Sequence, residues 1–387
     1  MATFDFRIPS LLVVGAGASQ RAGVEARRLA QEGAGPGGGG RALLVTDQNL
    51  VRLGHVEPVV ASLREQGLEV TLFSEVNTEP TTEHVERGLA VLRREGCNVV
   101  MALGGGAPMD AGKAIAVMAT NPGAMTDYMG QDKVPAPKLP LVCIPTTAGT
   151  GSEATRFTII TDPQTRVKML IGSPFIIPTV SLVDYTLTMT CPQEVTAGSG
   201  VDAFIHALEA YISKRANPVS DALALSAMER VAKNIRRAWA DGNDAVAREQ
   251  MALGALEAGM AFSNASVALI HGMSRPIGAY FHVPHGLSNA MLLSAVTRFN
   301  QEAAAARLAA VAEVMGAGRT APAAVRAIAV LCHDLEIPGV REYGIDPDKF
   351  MEAAPQMARD AIASGSPANN PRSATEDEIV ALYRKVL

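Results

Sequence analysis

An α/β domain followed by an all-helical domain is the fold this sequence predicts, and three observations predict it. Over the first half, short β-rich runs alternate with stretches of helical periodicity. Beyond about Asp184 the β-rich runs stop, and long Ala/Leu/Met-rich helical stretches take over. The length, 387 residues, is more than one hydrophobic core usually serves. The predicted domains are residues 1–188 and 189–387, with Cys191-Pro192 interrupting the pattern near the join.

The β-rich runs are Leu11 to Gly15, Ala42 to Thr46, Glu69 to Phe73, Asn98 to Ala102 and Leu141 to Ile144, all read as buried parallel strands. Between them, Val56 to Gln66 and Thr82 to Glu95 read as helices. The second opens on a Thr-Thr-Glu start and aligns Val85, Leu89 and Leu92 on one face. In the second half, Gly200 to Ser213, Ser220 to Trp239, Ala247 to Ala261, Gln301 to Val314 and Ala323 to Leu335 read as helices. Gly33 to Gly40 is too glycine-rich to hold one conformation and reads as a flexible surface loop with no assigned function.

A formal charge of −5, from 34 basic and 39 acidic residues, gives no electrostatic reason for a nucleic acid or membrane partner. No stretch approaches the roughly 20 apolar residues that span a bilayer, and Met1 to Ser10 lacks the pattern of a signal peptide. The four scattered cysteines form no disulfide framework, so a reducing cytoplasm is the expected location.

Two glycine-rich segments follow strands. Gly15-Ala-Gly17-Ala-Ser-Gln20 begins like a dinucleotide fingerprint but has Gln20 at the third glycine position, and it reads as a tight turn. Gly104 to Lys113 is the better candidate. Its glycines permit close approach of a ligand, and the following helix offers free N–H donors to a pyrophosphate. Gly105, Gly106, Ala107, Pro108 and Asp110 are its candidate contacts. A second segment, Pro145 to Ser152, clusters hydroxyls and glycines after another strand, with Thr146, Thr147 and Thr150 suited to phosphate and ribose. Asp47 ends the second strand, where a carboxylate can bind the adenosine ribose and repel a 2′-phosphate. Together these predict a Rossmann-like nucleotide-binding domain that prefers NAD(H).

Asp202 and His206 are four apart in a helical stretch, so both project from one face. Downstream, His271 and His285 stand in a second His-rich segment, with His282 a rival for the last position. One carboxylate and three imidazoles, with no thiolate, suit Fe(II), Zn(II) or another first-row divalent ion.

These motifs resemble the iron-containing (group III) alcohol dehydrogenases over nearly the whole chain. The resemblance rests on GGGAPMDAGKAIA (104–116), IPTTAGTGSEAT (144–155), TAGSGVDAFIHALEAY (196–211), HGMSRPIGAYFHVPHG (271–286) and NNPR (369–372), in that order. It implies that Asp202, His206, His271 and His285 hold a catalytic metal, Fe(II) first among the ions. It also implies that Asp47, Gly105, Gly106, Thr146, Thr147, Thr150 and Lys168 contact NAD(H). The implied reaction passes hydride between a small alcohol or aldehyde and the nicotinamide, the metal acting as Lewis acid. Expected partners are that substrate and further copies of the chain, as a homodimer or higher homo-oligomer. A dehydroquinate-synthase-like enzyme without net oxidation, or a non-catalytic nucleotide-binding protein, are the alternatives.

Three positions depart from the family pattern. Arg275 stands where the family usually has a histidine near the nicotinamide, and Arg275 is therefore a candidate site residue of its own. Thr78-Glu79-Pro80-Thr81 replaces the usual proline-asparagine-proline-threonine, and Phe157 replaces an often polar residue. An arginine cannot relay protons at working pH; its planar fork suits the cofactor pyrophosphate or a local acid, and equally a carboxylate, phosphonate or sulfonate on the substrate, so an anionic substrate is one of two readings left open.

Overall fold

The structure, a computed structural model, describes residues 3–34, 40–165 and 167–387. Of the segment expected to be a loop, Gly33 and Ala34 instead end a helix, and residues 35–39 lie outside the described residues. The chain divides into two compact units. One is Arg7–Thr147 with Gly151–Met189; the other is Thr190–Leu387, joined by the N-terminal residues through Phe6 and by Ala148–Thr150.

The first unit contains β1 (Leu11–Val14), α1 (Ala22–Ala34), β2 (Arg41–Val45), α2 (Gln48–Arg52), α3 (Val56–Glu65), β3 (Glu69–Phe73), α4 (Thr82–Glu95), β4 (Val99–Gly104), α5 (Gly106–Met118), β5 (Gly130–Gln131), β6 (Leu141–Pro145), β7 (Phe157–Asp162), β8 (Val167–Gly172) and β9 (Val180–Val183). Six of these strands form a parallel sheet in the order β1-β9-β6-β4-β2-β3. Successive side chains point to opposite faces. Leu43, Val45, Val100 and Ala102 enter the core beneath α4 and α5, while Ala42, Leu44, Met101 and Leu103 enter the one beneath α1 and α3.

β4 and β6 are buried along their whole length, as the apolar runs predict. β1 and β3 correct that expectation. They are the two edges of the sheet, have a partner on one side only, and leave Val14 and Leu72 exposed. The start of α4 is built as its residues dictate: the Thr81 hydroxyl accepts from His84 N at 3.3 Å, and Val85, Leu89 and Leu92 are buried. A second sheet, β5-β8-β7, was not foreseen; β7 and β8 form its antiparallel hairpin.

The second unit is helical among its described residues: α6 (Gln193–Ile212), α7 (Pro218–Ala240), α8 (Ala245–Ala265), α9 (Leu269–Phe281), α10 (His285–Phe299), α11 (Ala305–Val314), α12 (Ala321–Asp334), α13 (Pro347–Ala363) and α14 (Glu376–Arg384). α6 begins at Gln193, ahead of the expected Gly200, and is buried almost throughout against α7, α8 and α10. No single helix among the described residues is long and apolar enough to cross a membrane.

Candidate functional site

α6 presents Asp202 and His206 one turn apart, the third residue of α9 is His271, and α10 starts on His285. One ligand atom from each of the four lies within 4.8 Å of every other. His271 Nε2 is 3.6 Å from Asp202 Oδ1, and His206 Nδ1 is 3.9 Å from Asp202 Oδ2. These gaps are too long for hydrogen bonds. They are near the spacing of two donors that each bond one ion at about 2.1 Å, roughly 3–3.5 Å apart.

The orphaned atoms decide the point. His206 Nδ1 and His271 Nε2 are buried and have no hydrogen-bond partner among the described residues. Burying polar nitrogens without partners costs a few kcal/mol unless something fills them. Burial holds His206 well below the ordinary imidazole range and His285 at about 3, each with neighbouring histidines adding to the effect. Three imidazoles and one carboxylate, converging with two ring nitrogens unpartnered, fit a divalent cation.

Neighbouring side chains and backbone fix the ligand residues. Glu209, fully buried, faces His271 Nδ1 at 2.7 Å, which leaves the proton on Nδ1 and the lone pair on Nε2. The same carboxylate accepts from Ala268 N, Ile270 N and His271 N, so it caps α9, whose own N-cap residue Ala268 supplies no side-chain bond. Asn289 Nδ2 donates to Asp202 Oδ1 at 2.7 Å and lies 3.2 Å from His285 Nε2. The other ring nitrogen of His206 bonds the backbone of Gly149, and the ring stacks on Phe262 at 4.1 Å.

Glycines permit this closeness. A Cβ on Gly149 would meet Ser199 Cβ at 2.5 Å, and one on Gly286 would meet the Gly198 carbonyl oxygen at 2.5 Å. Glu209 and Asn289 were missed in the sequence. Asn289 had a signal, being four residues after His285 on one helix face.

His282 drops out as a ligand. It is exposed, in a left-handed conformation that terminates α9, and its N–H closes the helix on Gly278. Arg275 is one turn beyond His271 on α9, and its Nη1 donates to Ser366 Oγ at 3.0 Å. A cleft of about 750 Å³ reaches the cluster at Asp202 and His285; Thr150, Trp239, Leu287, Ile337 and Tyr343 are among its other walls. That is the size of a small-molecule site.

In the first unit, the carboxyl ends of β2, β4 and β6 lie side by side. Asp47 follows β2, Gly105 and Gly106 open α5 after β4, and Thr146 and Thr147 follow β6. Thr146 N bonds the Gly104 carbonyl at 3.0 Å, joining the two loops. Chain order reverses between β2 and β4, and such a switch point is where open parallel sheets bind nucleotides. Asp47 Oδ1 also caps α2 through Leu50 N at 2.9 Å. Ala107 is half-buried at the first turn of α5 and packs against the core. Thr150 groups with the helical unit rather than with this edge.

Two expected contacts are also engaged within the chain. Pro108 is buried against Gly104, where an added Cβ would sit 2.6 Å from the proline ring. Asp110 spends both carboxylate oxygens internally, on Ser152 Oγ at 2.7 Å and Ile159 N at 2.9 Å. Both side chains thereby brace the loop that opens α5. Lys168, on β8, pairs with Glu79 at 2.7 Å, inside the segment that departs from the family pattern.

Residues 9–185 match the family model described as iron-containing alcohol dehydrogenase, and residues 196–387 match the C-terminal model of the Fe-containing alcohol dehydrogenase family. The chain is 40% identical over 392 residues to the 1,3-propanediol dehydrogenase of Klebsiella pneumoniae, covering 99% of this chain and 98% of that one. Its fold is similar to a crystal structure of a 1,3-propanediol oxidoreductase, with a TM-score of 0.94 and 40% identity over 100% of both chains. It is also similar to the sulfoacetaldehyde reductase of Bifidobacterium kashiwanohense in complex with NAD+, with a TM-score of 0.89 and 27% identity, over 100% of this chain and 99% of that one.

Proposed function

Since the chain belongs to the iron-containing alcohol dehydrogenase family, we propose that Asp202, His206, His271 and His285 are the ligands of its catalytic divalent metal, Fe(II) first among candidates. The protein is an NAD(H)-linked alcohol dehydrogenase or aldehyde reductase acting on small substrates. The observation that carries the ligand assignment is the pair of buried, unpartnered ring nitrogens, His206 Nδ1 and His271 Nε2, turned toward one carboxylate.

The ion supplies Lewis-acid polarisation of the substrate oxygen, and the dinucleotide supplies or receives the hydride. Everything else belongs to the chain. Glu209 keeps the His271 proton on Nδ1, and Asn289 orients the Asp202 carboxylate. Phe262, stacked on His206, excludes water from one face of the ligand set. On the nucleotide side, Gly105 and Gly106 at the start of α5 suit the pyrophosphate, with Ala107, Thr146, Thr147, Thr150 and Lys168 as further contacts. Asp47, half-buried at the end of β2, accepts the ribose hydroxyls.

Relatives named for 1,3-propanediol, lactaldehyde, methanol and sulfoacetaldehyde agree on a short carbon chain and disagree on charge. A homo-oligomer working in the cytoplasm completes the reading; four unpaired cysteines suit that compartment.

The test is NADH consumption with a panel of C2–C4 aldehydes, with Fe(II), Zn(II), Ni(II) and Mn(II) supplied separately. One alcohol should form per NADH consumed. His271→Ala should lose metal and turnover while NADH titration still saturates. Product without net NADH change would instead indicate a dehydroquinate-synthase type of chemistry, and full metal content in His271→Ala would remove His271 from the ligand set.

A further inference from the structure

The guanidinium of Arg275 is largely buried and almost unused. Nη1 bonds the Ser366 hydroxyl at 3.0 Å, while Nε is buried with no partner, and no carboxylate pairs with the group among the described residues. Burying a cation without a counter-charge is costly, so such a group stands ready for an anion. The acidic side chain whose charge acts on it, Glu209, already holds three backbone N–H groups and His271. Asp202 belongs to the ligand cluster and accepts from Asn289. The anion has to come from outside the chain.

Its position says which anion. Arg275 is four residues after His271, so their Cβ atoms stand about 6 Å apart on one face of α9. Its charge is felt by both His206 and His285. With Ser366 it forms a donor pair one helix turn from His271. Because Arg275 is one turn from His271 on the same helix face, a molecule whose oxygen meets the ligand cluster needs only a short chain for its other end to meet Arg275. The glycines and hydroxyls suited to a pyrophosphate are instead on the β2-β4-β6 edge of the other unit.

We propose that Arg275, with Ser366, is the specificity-determining anion subsite of this enzyme, and that its substrate is a short-chain aldehyde or alcohol with a terminal carboxylate, phosphonate or sulfonate. This rests on the alcohol dehydrogenase reading and narrows it. A histidine here can be neutral, whereas the arginine keeps its charge and presents a planar pair of donors to an oxyanion.

The experiment compares 4-oxobutanoate with butanal in the native enzyme and in Arg275→Gln, Arg275→His and Arg275→Lys. Native kcat/KM favours 4-oxobutanoate, and that preference falls roughly ten- to a hundredfold in the Gln variant. Arg275→Lys retains part of it. Two readouts do not depend on turnover. The dissociation constant of 4-hydroxybutanoate for the metal-loaded enzyme without dinucleotide rises by a similar factor in Arg275→Gln, and that of NADH does not. A native preference for butanal overturns the proposal without any variant, even if the variants fail to fold. A loss of NADH affinity reassigns Arg275 to the cofactor phosphates, and an equal loss for both aldehydes leaves it a structural residue; either result sinks the subsite. Failure to reduce either aldehyde would count against the dehydrogenase reading itself.

Discussion

Glu209→Gln separates the two tasks that one buried carboxylate performs. Oε2 takes Ala268 N at 2.8 Å and faces His271 Nδ1 at 2.7 Å; Oε1 takes Ile270 N at 2.6 Å. Glutamine has the same shape but only one acceptor oxygen. If that oxygen stays with His271, its amide group confronts the Ile270 N–H, donor against donor. An unsatisfied buried N–H costs about 1–3 kcal/mol. Loss of negative charge at the N-terminus of α9 adds roughly 0.5–2 kcal/mol. The metal-free protein should therefore lose roughly 1.5–5 kcal/mol, seen as an earlier denaturant midpoint with unchanged slope. The second task is holding His271. Weakening the partner of a metal-bound histidine typically lowers metal affinity ten- to a hundredfold. Chelator competition on the folded variant, below its unfolding transition, measures this separately. Lower stability with native metal affinity would refute the reasoning, because Glu209 would then cap α9 without orienting His271.

Three further outcomes follow from particular contacts. Asp47→Ser keeps a capping oxygen for Leu50 N but removes the charge, so the preference for NADH over NADPH should narrow with little change in melting temperature; equal use of both cofactors by the native enzyme would defeat the argument. Gly149→Ala forces a Cβ to within 2.5 Å of Ser199 Cβ, which should cost about 1–3 kcal/mol and weaken metal binding by shifting the backbone that bonds His206; unchanged chelator competition would show that the loop does not position that ring. Glu153 is buried, and burial raises its carboxyl from 4.5 to about 7, against its own backbone hydrogen bond and Lys113. A pKa raised on folding gives stability that is full below about pH 4.5 and is lost as pH rises through 7. The full span is about 3 kcal/mol, and Glu153→Gln should flatten that slope in denaturation measured from pH 5 to 8.

What could be read in advance follows from the range of each signal. Asp202 and His206 lie on one helix turn, and three of the five expected strands are apolar runs buried as their own residues dictate, so local pattern was enough. α6 hid its first turns because Gln193, Glu194 and Val195 are all exposed and Gly198 and Gly200 follow, which leaves no one-sided periodicity to read. α9 was obscured by Pro276 within it and by glycines at 272 and 278. Glu209 is the sharper case. It stands three residues after His206, inside a motif that was in plain view, yet it does nothing for α6. Its partners are residues 268–271, brought to it only when α9 folds against α6, and no local spacing encodes that meeting. Asp110 shows the same limit from the other side: it was read with the loop it follows, and its bonds to Ser152 and Ile159 appear only in the packed chain. Motifs locate the atoms that bond a ligand, since that chemistry demands particular residue types. The residues that aim those atoms can be any acceptor delivered by the fold, so their identity appears only once the chain is packed.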